Sequence, residues 1–136
     1  MRIVIDVLGR PAAKQGVRIY RGRPVGVGNT NKALVAWRKA VMRAIVEEIT
    51  RGDGEIAAMA EATRVTVEIT FRLEGAEPGQ PHTSPPDLDN LAKGTLDALA
   101  EAGVIGDDAY VHDLRVRKVG AKPGNEGARI VLDDGQ

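Results

Sequence analysis

Asp87 and Asp89 stand two residues apart, Lys93 follows one helical turn later, and a second acidic pair, Asp107-Asp108, lies further on. Proteins rarely gather like charges unless something positive holds them together, and a metal ion is the usual agent. Pro86 and an approaching helix entrance both favour extended backbone at Asp87. Residues two apart in an extended chain point the same way, so Asp87 and Asp89 can converge on one ion. Lys93 then stands near Asp89, and the amides at the helix start add positive potential. Such a place suits a metal and a phosphate together.

Simpler readings of the same residues remain open. Asp89 is a good helix cap. Asp107-Asp108 after Gly106 makes an ordinary turn. Asp89, Lys93 and Asp97 at spacings of four form a ladder of solvated pairs. Other chemistries are poorly supported. The opening Asp-x-Asp-Asn resembles a calcium-binding loop, but Ala92 stands where that loop needs glycine and Ala98 where it needs glutamate. Ser84, the only serine, lies between Thr83 and Pro85 with no visible triad partners. The absence of cysteine excludes thiol nucleophiles and thiolate sites, and two histidines, His82 and His112, are too few for histidine-rich zinc chemistry. Any metal here has oxygen ligands, which suits Mg2+, with Mn2+ as a substitute.

The 136 residues fit one domain with a modest core, residues 1–136. Net charge is zero, but its distribution is uneven. Residues 1–45 carry ten bases against Asp6 alone, residues 46–113 fifteen acids against four bases, and the remainder five bases against three acids. This suggests a polyanion-binding face beside an acidic centre, unless folding simply interleaves the charges. Trp37, Tyr20, Phe71 and Tyr110 are the only aromatics, which weakens any base-stacking surface. No stretch approaches the roughly 20 apolar residues of a membrane span. The alternating start Met1-Arg2-Ile3-Val4-Ile5-Asp6 is unlike a signal peptide, so a cytoplasmic protein without membrane attachment is expected.

These residues need a scaffold. Residues 2–8 alternate as a strand. Gly9 to Asn31 reads as a long basic loop with a short strand around Val17 to Tyr20. Asn29-Thr30-Asn31 offers caps for a helix over about 32–51, whose Leu34, Trp37, Val41, Ile45 and Ile49 form one stripe. A break at Gly52-Asp53-Gly54 precedes a short helical extension. Residues 64–73 alternate as the clearest strand, and residues 75–86 are a Pro/Gly-rich connector. A second main helix is predicted from about Asp89 to Ala102, closed by Gly103. Residues 110–119 and 128–132 read as strands joined by a turn at Lys122-Pro123-Gly124-Asn125. The expected fold is α+β: a mixed sheet of about four strands with two main helices packed on it.

The run Pro86-Asp87-Leu88-Asp89-Asn90-Leu91-Ala92-Lys93-Gly94-Thr95-Leu96-Asp97-Ala98-Leu99, then Gly103-Val104-Ile105-Gly106-Asp107-Asp108-Ala109-Tyr110-Val111, closely resembles the RusA family of Holliday-junction resolvases. His82-Thr83-Ser84, Pro11-Ala12-Ala13-Lys14-Gln15-Gly16 and Ala36-Trp37-Arg38 also look family-like. Residues 81–111 are the diagnostic part. The resemblance implies a homodimeric, magnesium-dependent endonuclease, of a kind common in phages and prophages, that binds four-way DNA junctions and nicks two strands symmetrically in recombination and repair. By position it implies that Asp87, Asp89 and Asp108 hold the metal, with Asp107 a less certain participant, and that Lys93 is the catalytic lysine. Some members carry arginines before the Asp-x-Asp. Here that segment is Gln80-Pro81-His82-Thr83-Ser84-Pro85, so DNA contacts are expected from the basic loop, at Lys14, Arg18, Arg21 and Arg23. Two other functions compete: a non-catalytic branched-DNA-binding protein, and a metal-dependent nuclease acting on other branched nucleic acids.

Overall fold

In the computed structural model the described residues are 1–14, 18–25, 32–52 and 54–135, with side chains left aside at 18–20 and 23–25. The expected caps Asn29-Thr30-Asn31 lie outside them, as does Asp53. Six strands and three helices follow in the order β1 Arg2–Leu8, β2 Arg18–Tyr20, β3 Arg23–Val25, α1 Lys32–Arg51, α2 Glu55–Ala60, β4 Val65–Pro78, α3 Leu88–Glu101, a 3-10 turn Asp108–Tyr110, β5 Val111–Gly120 and β6 Gly127–Asp133.

Four strands make one mixed sheet in the order β1-β6-β4-β5. β6 runs antiparallel to both β1 and β4, while β4 and β5 are parallel and joined through α3. Parallel neighbours require such a crossover, because a tight turn cannot reverse the chain twice. α3 therefore starts at the end of the sheet where β4 and β5 finish, and stops where they begin.

The alternation seen in the sequence decides which face is covered. Ile3, Ile5 and Val7 of β1, Val67, Ile69 and Phe71 of β4, and Ala128, Ile130 and Leu132 of β6 are cross-strand partners and all buried. α1 lays Leu34, Trp37, Val41 and Ile45 on this face, and α3 adds Leu91, Ala98 and Leu99. Buried Trp37 donates its indole N–H to the hydroxyl of Thr95 at 3.0 Å, which satisfies both polar groups and fixes α1 against α3. Gly94 permits that approach: a Cβ there would meet Leu34 Cδ1 at 3.2 Å. On the other sheet face opposite charges interleave, with Arg72 against Asp6 at 3.3 Å and Arg117 against Glu68 at 2.9 Å. Part of the charge asymmetry in the sequence is thus neutralised by folding.

The basic loop contains more order than its composition suggests. β2 and β3 form a hairpin in which Tyr20 faces Arg23 across Arg21 and Gly22. Both turn residues have positive φ, 51° and 75°, as a two-residue hairpin turn of matching twist requires. Two further elements agree with the turn chemistry in the sequence: Asn125 N–H reaches Lys122 O at 2.9 Å, with Gly124 at φ 82°, and the chain leaves α3 through Gly103 at φ 77°.

Candidate active site

The segment entering α3 is held from three sides. His82 is buried: its backbone N–H donates to Lys118 O at 3.1 Å, and its ring Nε2 lies 2.9 Å from Glu74 O. Gly75, at φ 115°, leaves room for that ring, since a Cβ would sit 3.0 Å from Nε2. Lys118 of β5 donates its ammonium to Ser84 O at 2.7 Å and to Pro86 O at 2.8 Å. These charge-assisted bonds tie the connector to the end of the sheet. The Pro85–Pro86 bond is cis.

Asp87 follows as the N-cap of α3, extended at φ −68° and ψ 137°, and its side chain makes no capping bond. Asp89 lies in the first turn of the helix, and Lys93 one turn on; all three side chains are exposed. None of the three has a hydrogen bond or ion pair among the described residues. The simple readings of this cluster therefore fail. Asp89 is not the cap, Asp87 is a cap by position only, and the ladder to Asp97 does not form. Asp97 instead accepts from Lys14 Nζ at 2.8 Å and has Arg38 at 3.9 Å. Lys14 also donates its backbone N–H to Asn90 O at 3.2 Å, so the basic loop begins alongside α3.

The far end of α3 is different. Asp107 is extended and accepts the Ala109 N–H at 2.8 Å, capping the 3-10 turn as the turn reading expects. Asp108 opens that turn and is exposed. Val111, three residues later, pairs with Val65 at the start of β4.

The resemblance assigns Asp108 to the same metal as Asp87 and Asp89, but within one chain it does not lie beside them. Lys118 marks the level of Pro86, and it stands seven residue steps along the strand from Val111, a rise of about 23 Å. Along the helix, the 14 residues of α3 span about 21 Å. Asp108 thus stands at the opposite end of α3 from Asp87 and Asp89, on the order of 20 Å away. Among the described residues no group of three His, Cys, Asp or Glu side chains comes close enough to hold a metal. The carboxylate chemistry suits a hard cation such as Mg2+, and among the described residues Asp87 and Asp89 are the acids at the start of α3.

Of the expected DNA contacts, Lys14 is engaged with Asp97, and Arg21 is exposed at the hairpin turn. The side chains of Arg18 and Arg23 fall outside the described residues. The sequence reading missed Lys118 and undervalued His82. Lys118 carries no distinguishing signal, being one of three bases in β5. His82 could have been found as the one polar residue with a ring in the connector that precedes the acids. An open cleft of about 760 Å³ runs between residues 8–13 and α1, bordered by Arg10 and Arg43 and reaching Pro86.

Sequence comparison places this α+β domain among the endodeoxyribonucleases. The family model described as endodeoxyribonuclease RusA matches residues 9–131 of the chain, which belongs to that family. No curated protein matches the chain. Among solved structures, the bifunctional IspDF from Campylobacter jejuni matches with 8% identity and a TM-score of 0.28, covering 96% of this chain and 39% of that protein. The chain thus spans well under half of that protein, and so slight a likeness carries no argument. Among the described residues no helix is long and apolar enough to cross a membrane.

Proposed function

We propose that the 136 residues form one magnesium-dependent, structure-selective endodeoxyribonuclease domain that cuts four-way DNA junctions by paired nicks, as a homodimer, in recombination and repair. The observation that carries this reading is the unengaged state of Asp87, Asp89 and Lys93 on a segment otherwise tightly anchored by His82 and Lys118. A protein that only bound DNA would gain nothing from two carboxylates facing phosphate, since they repel it. Family membership supplies the reaction class.

In this reading Asp87 and Asp89 are carboxylate ligands whose hard oxygens suit Mg2+ or Mn2+. The ion, when bound, supplies an activated water and neutralises charge on the scissile phosphate. Lys93, as a cation one turn along the same helix, binds the phosphate and offsets charge developing in the transition state. Lys118 and His82 are positioning residues: they fix the backbone that aims Asp87. The cleft bordered by Arg10 and Arg43 reaches Pro86 beside the acids and offers a track for the DNA backbone. Arg18, Arg21 and Arg23 of the β2–β3 hairpin are the further bases that this reading assigns to DNA contact.

The test is incubation of the protein with a synthetic four-way junction and a matched linear duplex, with Mg2+ or with EDTA. Paired nicks in the junction alone, and only with metal, are expected. Cutting that survives EDTA overturns the metal dependence, and equal cutting of the duplex overturns the selectivity. Preferred cutting of flaps or forks would favour a nuclease for other branched nucleic acids.

A further inference from the structure

The chain passes from α3 toward β5 through Gly103-Val104-Ile105-Gly106-Asp107-Asp108, and its two glycines serve different ends. Gly103 has φ 77°, which strains any L side chain, yet a Cβ there would meet nothing within 4 Å. Gly106 lacks the positive φ that favours glycine, and space requires it instead. A Cβ at Gly106 would sit 2.9 Å from Ala60 O and 3.5 Å from Cε2 of the Tyr110 ring. A carbon–oxygen contact that short makes one side move, and the oxygen belongs to the backbone at the end of α2. That helix is fastened to the core by buried Ile56 and Met59, and it also borders a cavity of about 260 Å³ shared with Ile49, Ala102 and Gly103.

The residues on either side of Gly106 make its place consequential. Before it, Val104 and Ile105 are fully buried, and Val104 N–H donates to Leu99 O at 3.1 Å. After it, Asp107 accepts Ala109 N–H at 2.8 Å and Tyr110 N–H reaches Asp107 O at 3.0 Å. Residues 107–110 thus form one hydrogen-bonded unit that moves with Gly106. Asp108 rides on that unit: its side chain is exposed and has no hydrogen bond or ion pair among the described residues. Its backbone alone decides where its carboxylate stands.

We propose that α2 positions Asp108, and that Gly106 is the positioning residue through which it does so. This rests on the nuclease reading, in which the family resemblance assigns Asp108 to the metal. The end of α2 is the seat, with Ala60 O bearing on Gly106, and the capped 3-10 turn carries that placement to Asp108. Magnesium demands near-ideal geometry, and ligand sets tolerate displacements of only about 0.5 Å. A methyl group added at Gly106 begins 2.9 Å from Ala60 O, and restoring an ordinary contact of 3.4 Å shifts the turn by about that tolerance. The short helix between α1 and β4 therefore acts on the metal site without contributing a ligand to it.

Gly106→Ala tests this, first by metal binding. Mn2+ affinity, measured without DNA from the electron-spin resonance of free Mn2+, is expected to fall about tenfold, as when groups that orient metal ligands are removed. The Mg2+ concentration for half-maximal junction cutting should rise by a similar factor, and the rate at saturating Mg2+ should fall less. Ile5→Val is the comparison: it deletes one buried methyl group on β1, at the far edge of the sheet, and lowers stability without touching the turn. It is expected to keep wild-type Mn2+ affinity. Wild-type affinity in Gly106→Ala, or an equal loss in Ile5→Val, overturns the proposal. Should Gly106→Ala fail to fold, Ala60→Gly takes its place. It keeps Gly106 but loosens the helix end that carries the carbonyl, and is expected to weaken Mn2+ binding about threefold. Wild-type affinity there overturns the proposal as well. A wild-type protein that binds Mn2+ and cuts no junction overturns the nuclease reading instead, and the Mn2+ comparison still decides the role of α2.

Discussion

The two ends of α3 both present aspartates at a turn, yet they treat them in opposite ways. At the N-terminal end Asp87 occupies the capping position without using its side chain to cap, and Asp89 has no partner among the described residues. At the C-terminal end Asp107 caps the 3-10 turn through Ala109 N–H at 2.8 Å. The backbone around the unengaged pair is the more firmly held of the two. Lys118 takes two carbonyls of the connector and buried His82 takes two more contacts. Rigid backbone beneath unengaged carboxylates is the condition for a ligand set that binds without reorganising. Engaged carboxylates in a turn are a structural device.

The largest effect that this comparison predicts is at Asp89. Asp89→Asn keeps the size of the side chain and removes its charge. Junction cutting is expected to fall at least about a hundredfold, while junction binding, measured by gel shift, persists or strengthens because one repulsive charge is gone. Wild-type cutting by this variant would remove Asp89 from the chemistry. The thermal midpoint should move little, since among the described residues the carboxylate has no hydrogen bond or ion pair and loses only its attraction to the helix N-terminus, about 0.3–1 kcal/mol.

That contrast also shows what the sequence could convey. The strands at 2–8, 64–73, 110–119 and 128–132 were legible because period-two alternation is forced by one-sided burial, and they appear within a residue or so of those limits, except that β4 runs on to Pro78, into the segment read as a connector. α3 was legible from its apolar side and from Gly103. Helical spacing describes neighbours on one element and says nothing about the strand that follows, so it did not reveal how far Asp108 lies from Asp89 within one chain. A strand, a helix and a second strand in the same sheet do imply a parallel crossover, which puts the starts of helix and strand at opposite ends. Read that way, the order β4, α3, β5 already separates Asp108 from Asp89. Two features had no such signal. Insertion of β6 between β1 and β4 is a long-range choice of the packed sheet, and the Lys14–Asp97 pair joins residues distant in sequence.

Next in size is the anchor. Lys118→Met keeps the aliphatic stem and deletes the two bonds to Ser84 O and Pro86 O. A loss of about 2 kcal/mol is expected, because hydrogen bonds from a charged donor contribute more than neutral ones and the carbonyls must then find water. Cutting should fall about tenfold, in the range seen when groups that orient metal ligands are removed. Chemical denaturation and single-turnover cutting measure the two separately. Unchanged cutting with reduced stability would show that the connector does not aim Asp87.

A smaller effect is expected where α3 meets the basic loop. Lys14→Met removes the 2.8 Å contact with Asp97, a pair about a quarter to a third exposed. Arg38, at 3.9 Å, remains to offset part of the lost charge. About 0.5–1 kcal/mol is expected, and less in high salt, as for other solvent-reached pairs. A loss that ignores salt would mean that Lys14 acts by packing its stem rather than by its charge.

The smallest effect tests the engaged acid. Asp107→Ala deletes the acceptor for Ala109 N–H and should cost about 0.5–1 kcal/mol, the usual range for an exposed capping residue. Asp107→Asn retains a side-chain oxygen that caps as well and should restore stability. If Asp107 only caps, cutting follows the same order: slightly reduced in the alanine variant through a looser turn beside Asp108, and near wild type in the asparagine variant. If Asp107 instead contributes charge to the site, the asparagine variant is stable and yet defective, the behaviour predicted for Asp89. The paired substitutions therefore separate turn from ligand at the one acid whose geometry favours the turn, and a defective Asp107→Asn would erase the distinction between the two ends of α3.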